Sequence, residues 1–546
     1  MSARVKAIKD QGQQLFGKRD GLLTLWQSIA ENFYPIRADF TTASNLGDEY
    51  ASKLMSSYPV IACRDLSNSI GTMLDLSKFS MATNRPDRED TIAKQWLEWA
   101  TDLQKNAMFA RPANLKRALK EGDGDLAPFG QCVISVELNK ALSDLLYRCW
   151  HLRDVAWCEN DEGRITTVFR KHKMSATDMA RMFPKTVHSK VRDKLAKEPY
   201  CEFECWHVVM PTETYNSVAG GKEIRQPYVS IHLDVQNDCE MEMVGAWDVP
   251  YVIPRWATKQ GSQYAYSPAI MTAIPDARLI QQMTLTVLEA GEKAVNPPMI
   301  GVVEALRGDM NLLAGGLTAV SADYDERLGE VLRPLTQDRS GLPFGMEMIQ
   351  DLRQQIADAL MANRLNLPPV GVGDMTATEV SQRVQEFVRN AMPLVDPLEA
   401  ERNAAICELT FKILLNSKGP HSAGAFGRKE DIPESIQGAD IEFQFDSPLK
   451  VAEKRIKVTQ FMEAQQIIAG AAQLDPSVAL LVNTKKAARD ALSAVSPADW
   501  QHTEAEVDAA IAQQQQAAQA QQLMAMMQQG AETAKIIGET RQPGMV

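Results

Sequence analysis

Two helical segments of similar length bracket a stretch of the chain that has no helical pattern. Residues 276–295 and 345–363 carry apolar side chains at steps of three and four, the spacing of an amphipathic helix. These stripes are Ile280, Met283, Val287, Ala290 and Ala294 in the first segment, and Ile349, Leu352, Ile356 and Ala359 in the second. At 1.5 Å per residue, each helix would be about 30 Å long. Between them, the Gly-dotted residues 299–342 predict short strands and turns.

A very long helix follows a loop rich in proline and glycine. The loop consists of Asn366, Leu367, Pro368, Pro369, Val370, Gly371, Val372 and Gly373. Thr376 and Glu379 then match a capping box, in which the hydroxyl and the carboxylate each satisfy a free backbone N–H. Apolar residues recur at helical spacing beyond Pro393 and Pro397, so these prolines are predicted to kink the helix and not to end it.

The remaining segments predict an α+β fold that is predominantly helical. Residues 1–125 have helical periodicity, which a run of alternating glycine and aspartate at 122–125 is predicted to break. Residues 130–255 alternate like strands of a twisted, mainly antiparallel sheet, with a hairpin turn at 160–163. A strand is predicted at 441–445, followed by helical segments beyond 450. A Gln-rich tract over 512–529 is predicted to be a helix that frays towards the C-terminus.

Charge and cysteine usage exclude several classes of protein. The formal net charge is −12, whereas a protein that grips DNA tightly usually presents a basic face to the phosphates. The eight cysteines are irregularly spaced and no secretion signal precedes them, so reduced thiols are expected. Cys201, Cys205 and His207 would share one face of a strand, but they lack a fourth ligand, and no metal site is predicted. No run of 18 apolar residues predicts a transmembrane helix.

Signatures of catalysis are weak or absent in the sequence. Residues 12–18 fit the first seven positions of a phosphate-binding loop, but Arg19 stands where the Mg²⁺-binding Ser or Thr should be. The sequence has no Gly-x-Ser-x-Gly elbow and no His-Glu-x-x-His zinc helix, and its seven histidines are scattered. We therefore predict no catalytic residue, no cofactor and no enzymatic activity.

Three short motifs, taken in their order and spacing, resemble the portal (head-to-tail connector) family of short-tailed bacteriophages. They are Tyr266, Ser267, Pro268 and Ala269 before the first helix, Asn296, Pro297 and Pro298 after it, and Met375, Thr376, Ala377, Thr378, Glu379 and Val380 at the start of the long helix. The last is the most specific of the three. The resemblance covers roughly residues 20–450 and excludes the Gln-rich tail.

The resemblance implies a dodecameric ring of subunits built from a wing, a stem, a clip and a crown. Residues 1–275 would form the wing, with the sheet of 130–255 in it. The stem helices would be 276–295 and 345–363, on either side of a clip at 296–344. The remaining segments would be a channel loop at 364–375, the wing's spine helix and return strand at 376–449, and a helical crown at 450–546.

The resemblance also implies partners and a location. Double-stranded DNA would pass through the ring without sequence recognition during genome packaging, retention and ejection. A terminase (the packaging ATPase) and later a tail adaptor would dock on the ring, which would also contact major capsid, scaffolding and internal core proteins, but no membrane. The protein would reside at the portal vertex of the virion, after assembly in the host cytoplasm.

Charge on the two stem segments fits a channel that DNA slides through. The net charge is −1 over 276–295 and −2 over 345–363, and an acidic wall repels phosphate. The candidate DNA contacts are Arg278, Lys293, Arg353 and Arg364. The alternative for each is a charge that faces solvent or a neighbouring subunit.

Two other functions stay open at this point. One is another virion component, such as an internal core protein or a tail adaptor, and a holed ring in electron micrographs would argue against it. The other is an enzyme of the packaging motor or a nuclease, which the incomplete phosphate loop argues against.

Shortening the loop at 366–373 is expected to spare ring assembly and to impair DNA packaging or retention, because the loop would reach the DNA and not the neighbouring subunit. The measurement is electron microscopy of the ring alongside an in vitro packaging assay. Normal packaging by the shortened variant would contradict this role.

Overall fold

The computed structural model describes residues 3–43, 45, 47–52, 54–84, 91–219, 224–295, 297, 299–301, 332–334, 341–361, 389–416, 432–445, 458, 461–462, 464–468 and 488. The chain divides into two units. The first comprises Met1–Asn84 with Trp96–Leu449, and the second comprises Arg85–Gln95 with Lys450–Val546. In the second unit, the described residues of 450–546 are all helical.

The N-terminal part of the chain is predominantly helical, as the sequence predicts. Their bounds are α1 (Ala3–Lys18), α2 (Asp20–Phe33), α3 (Tyr58–Met73), α4 (Thr91–Phe109), α5 (Leu115–Phe129), α6 (Ala176–Met182), α7 (Ser189–Lys197), α8 (Thr212–Ala219), α9 (Ile274–Val295) and α10 (Gly341–Ala359). A last helical run comprises α11 over 389–398, a π-helical segment Glu399–Ala404 and α12 (Ala405–Asn416). The described part of the long helix therefore continues through both prolines, as predicted.

The strands lie mostly between α5 and α9. They are β1 (Phe79–Thr83), β2 (Val133–Leu138), β3 (Leu145–Trp150), β4 (Val155–Glu159), β5 (Ile165–Ser175), β6 (Glu202–Pro211), β7 (Tyr228–Asp234), β8 (Cys239–Ala246), β9 (Tyr251–Val252), β10 (Ala257–Thr258), β11 (Ala265–Tyr266), β12 (Met299–Gly301), β13 (Leu332–Pro334) and β14 (Ile441–Phe445). The main sheet has the order β4-β5-β6-β7-β8, and a second sheet has the order β3-β2-β9. All pairings in both sheets are antiparallel, which confirms the α+β prediction for this region.

The main sheet is covered on both faces, because alternate residues of its strands point to opposite sides. On one face, Trp206 and Val208 of β6 join a core with Phe16 of α1 and Tyr215 of α8. On the other face, Phe203 and Cys205 of β6 pack against α6 and α7, whose buried side chains include Met179, Phe183 and Val191. The α6 helix begins after a cap at Ser175, whose hydroxyl accepts a hydrogen bond from the Asp178 N–H at 3.1 Å.

The glycines and aspartates at 122–125 do not break α5, contrary to the sequence-based prediction. The helix runs on to Phe129. Gly122 lies against Ile134 of the second sheet and against Cys132, which precedes β2, and a Cβ added there would stand 3.1 Å and 3.2 Å from their side chains. This glycine is therefore explained by close packing and not by a turn.

The two aspartates of this run are buried and paired with arginines that are far away in sequence. Arg402 of the π-helical segment lies 3.0 Å from Asp123. Arg37 makes a two-pronged contact with Asp125, at 3.0 Å and 3.1 Å. Burial raises the pKa of both carboxyl groups, and the neighbouring arginines oppose this rise. Both pairs join α5 to segments that the sequence separates from it.

Three of the scattered histidines meet on one face of the main sheet. His207 and His232, paired across β6 and β7, stack with ring centroids 4.3 Å apart, and His207 Nε2 lies 2.8 Å from the Ser230 hydroxyl. His172 lies on β5, beside Arg170. Burial lowers the pKa of His232 to about 4 and that of His172 to about 2. These histidines are neutral parts of the core at neutral pH.

The Arg402→Met variant is expected to lose about 3–5 kcal/mol of unfolding free energy, because it leaves Asp123 buried without its countercharge. Chemical denaturation followed by circular dichroism measures the loss. The matched control is the double variant Asp123→Leu with Arg402→Met, which removes both charges and should recover most of the stability. Equal destabilisation by the single and double variants would contradict this account.

Candidate channel helices

The two predicted stem segments form a helical pair, α9 and α10. The first was predicted at 276–295 and is observed at Ile274–Val295, after a π-helical turn at Ala269–Ala273. The second was predicted at 345–363 but begins at Gly341, and residues 360–361 already form a turn. The earlier start follows from Leu342, Pro343 and Phe344, which fill a first helical turn in which proline is tolerated.

The two helices pack against each other, and the side chains of their predicted apolar stripes are buried or half-buried. Ile280 of α9 and Ile349, Leu352 and Ile356 of α10 are all at most 8% exposed. A Cβ added at Gly345 would stand 2.9 Å from Val287, so the absence of a side chain there lets the backbones approach closely. The pair is therefore held by apolar packing along its length.

A buried polar joint fixes the point at which α9 leaves the rest of the fold. The Ser267 hydroxyl donates to the carbonyl of Pro128 at the end of α5 and accepts from the N–H of Ile270. Gly130 has a φ of 74°, and a Cβ there would stand 2.6 Å from the backbone of Tyr266 and Ser267. The first of the three motifs, at 266–269, thus lies at the point where α9 leaves the rest of the fold.

The α9 helix is also tied to the segment that precedes α3. The Gln281 side chain accepts hydrogen bonds from the N–H groups of Met55 and Ser56, each at 2.8 Å. It donates to the carbonyl of Ser56 at 2.9 Å. The Gln281 side chain thus forms hydrogen bonds with three backbone groups. These bonds fix the orientation of the N-terminal half of α9.

The predicted channel cations lie in different surroundings. Arg278 donates to the Ser28 hydroxyl at 2.6 Å, and the Arg353 guanidinium lies over the Tyr58 ring, 5.7 Å from its centroid. Burial raises the pKa of Tyr58, and Arg353 opposes the rise. Lys293 is exposed in the last turn of α9. Arg278 and Arg353 therefore join the pair to α2 and α3, whereas Lys293 lies near the C-terminal end of α9.

The other predicted site residues lie outside the described part of the chain. These are Arg364, the channel loop at 366–373, and the cap residues Thr376 and Glu379. Of the predicted clip, the structure describes the short antiparallel pair β12 and β13, in which Ile300 is opposite Arg333.

A second set of apolar side chains on the helical pair was missed by the sequence analysis. These residues are well exposed: Leu279 (44%), Leu288 (58%) and Val295 (88%) on α9, with Phe344 (64%) and Met346 (63%) on α10. The signal was available, since a helix with apolar residues outside its main stripe has more than one apolar face. Leu288 and Val295 are seven residues apart and therefore share one face of α9 outside its main apolar stripe.

Neither a metal-binding group nor a membrane-spanning helix is found within the described residues. No set of three His, Cys, Asp or Glu side chains there could hold an ion. No helix there is both long and apolar enough to cross a bilayer. The residues that resemble a phosphate-binding loop belong to α1, and the Arg19 guanidinium donates to the carbonyls of Leu152, Arg153 and Val155. That segment is therefore a helix bound to the sheet region.

Comparison with known proteins gives one family. The model of the family described as "Bacteriophage head to tail connecting protein" matches residues 5–499. The chain is 24% identical over 552 residues to the portal protein of Salmonella phage epsilon15, which covers 97% of this chain and 94% of the relative. It is 24% identical over 464 residues to a probable portal protein of Bordetella phage BPP-1, covering 83% and 80% respectively.

The similarity to solved structures is low. A chain from the virion of a native gene transfer agent particle aligns with 82% of this chain and 95% of its own length, at 11% identity. The TM-score of 0.35 is too low to establish a common fold.

Gly130→Ala is expected to destabilise the protein more than Gly163→Ala, its matched control. The two glycines have nearly equal φ values, 74° and 76°, but no atom lies within 4 Å of a Cβ at Gly163. The control should lose about 1 kcal/mol through backbone conformation alone, and Gly130→Ala should lose about 1–3 kcal/mol more through overpacking. Denaturation curves compare the two, and equal losses would argue against a tight joint at Ser267.

Proposed function

This chain belongs to the bacteriophage head to tail connecting proteins, and from that premise we propose that twelve copies form the portal ring of a short-tailed phage. The single observation that carries the proposal is the family match over residues 5–499. The ring would occupy the portal vertex of the virion and would be assembled in the host cytoplasm. Genome packaging, retention and ejection would all use its central channel.

The helical pair α9 and α10 is the proposed stem of the ring. Hydrogen bonds of Ser267 and Gln281 fix the N-terminal part of α9, and we infer that the exposed apolar side chains of the pair are buried by another chain. A neighbouring copy of the subunit would bury these side chains. The next copy in the ring would bury those of the neighbour, as closed cyclic symmetry requires. The remaining proposed parts are the wing (1–275 and 376–449), the clip (296–344), the channel loop (364–375) and the crown (450–546).

The proposed mechanism is mechanical, and charge supports it. Twelve subunits of net charge −12 would carry −144 in total. Such a ring repels phosphate and lets DNA pass without adhering. Arg278, Lys293, Arg353 and Arg364 are proposed as weak contacts that do not read sequence. Terminase would dock on the clip, and the tail adaptor would replace it after packaging. Capsid, scaffolding and internal core proteins would contact the wing and crown.

Leu288→Glu and Phe344→Glu are each expected to prevent ring formation, because a charge buried between subunits lacks a partner. The matched control is Gln282→Glu, which adds the same charge at an exposed polar position of α9 and should leave rings intact. Mass photometry and negative-stain electron microscopy of the wild type and the variants give the readout.

Wild-type protein should form holed rings with about twelvefold symmetry. A monomer or a rod would instead favour an internal core protein or a tail adaptor, and ATP hydrolysis by the purified protein would favour a motor enzyme. Rings formed equally well by all three variants would exclude this helical surface as the subunit contact.

A further inference from the structure

The charge of this acidic chain reverses over one short stretch. Residues 173–197 contain seven basic and two acidic side chains, whereas the whole chain has a net charge of −12. The stretch covers the end of β5, then α6 and α7, which together form the helical cover on one face of the main sheet. It lies apart in sequence from the candidate channel helices.

The four cations of α7 are exposed and lie within eight residues. Val191 is the buried side chain of this helix, and Leu195 is half-buried, which leaves Lys190, Arg192, Lys194 and Lys197 on its outer surface. We call these four side chains the α7 basic surface. Lys185 is excluded, since it lines a cleft that also contains Glu240 and Glu242.

These cations are not neutralised within the described part of the chain. Arg192 donates to the carbonyls of Pro184 and Lys185, and Lys194 lies near Cys201 and over the Phe203 ring. None of the four makes an ion pair with a described residue. Their nearest acids in sequence are Asp193 and Glu198, both of them exposed. Like charges at i, i+4 destabilise a helix, so the repulsion between Lys190 and Lys194 opposes the favourable position of Lys194 and Lys197 in the last turn of α7.

Spacing and composition favour a linear polyanion over a protein partner. Lys190, Lys194 and Lys197 follow each other at i, i+4 and i+7, so they line one face of α7. They span about 10 Å along the helix axis, a length over which one strand of DNA presents about three phosphates. Protein–protein interfaces are depleted of lysine and centre on aromatic side chains, and this helix has no aromatic residue.

We propose that the α7 basic surface binds the phosphate backbone of double-stranded DNA without reading its sequence. The surface would be a second DNA contact, separate from the channel helices. The choice of DNA as the polyanion rests on the proposed function. Phosphate contacts of this kind position a protein on DNA but do not select a base sequence.

The test is binding of the full-length protein to a fluorescein-labelled 30-base-pair duplex of random sequence, followed by fluorescence anisotropy from 50 to 200 mM salt. The variant K190Q/R192Q/K194Q/K197Q should bind at least about a hundredfold more weakly at 50 mM salt. The slope of log K against log salt should become shallower by about 3, since each lost phosphate contact contributes about 0.9.

Two further variants serve as controls. R64Q/R117Q/K140Q/K259Q removes the same charge from other exposed positions and should bind DNA within about twofold of the wild type. K190R/K194R/K197R keeps the charge on α7 and should also bind normally. Circular dichroism of all variants verifies that each one folds like the wild type.

Three outcomes would overturn the proposal: no binding of the duplex by wild-type protein at 50 mM salt, equal losses in the two neutralised variants, or tighter binding of polyglutamate than of the duplex. The last would identify an acidic protein as the partner. Electron microscopy of the same samples separates this proposal from the proposed function, because rings can form whether or not α7 binds DNA.

Discussion

The buried pair of Asp123 and Arg402 is the contact on which most of the described fold depends. It joins α5 to the long helical run at 389–416, which lies nearly three hundred residues away in the chain. Because Arg402 is 1% exposed, water cannot hydrogen-bond to its guanidinium. The ion pair with Asp123 therefore fixes the register of the long helix against α5. The residues on either side add to this restriction: Glu401 accepts from the N–H of Arg255 at 2.8 Å, and Asn403 donates to the carbonyl of Leu74 at 3.2 Å.

The π-helical segment explains how three consecutive residues can contact three separate parts of the fold. It begins two residues after Pro397, whose ring clashes with the preceding turn and removes one backbone hydrogen bond. A π-helical turn is wider than an α-helical turn, so it rotates the side chains about the helix axis. Such segments are rare outside functional or strained sites. A second π-helical segment, Ala269–Ala273, lies at the root of α9. An irregular helical turn therefore occurs in both long helices, before α9 and within the run at 389–416.

Periodicity alone predicted the helices and strands that have one apolar face. It located α9, the hairpin of β4 and β5, and the strand at 441–445 to within a few residues. It failed for the segment at 122–125, because glycine and aspartate disfavour a helix locally and the compensating arginines are distant in sequence. It also could not bring His172, His207 and His232 together, since strand pairing, and not sequence spacing, makes them neighbours. Among the site residues, the buried stripes were predictable, but the contacts of Arg278 and Arg353 required the fold.

Charge separation within one subunit reconciles two demands on a DNA channel. A wall that bound phosphate strongly would stop the DNA, because each neutralised phosphate adds to affinity and must be released before the next step. The acidic helical pair has few cations, and two of them, Arg278 and Arg353, already contact Ser28 and Tyr58. Under the two proposals, cations that retain DNA without hindering its passage would lie away from the channel helices, on elements such as α7 that pack on the main sheet. A single chain would then let DNA slide on one surface and retain it on another.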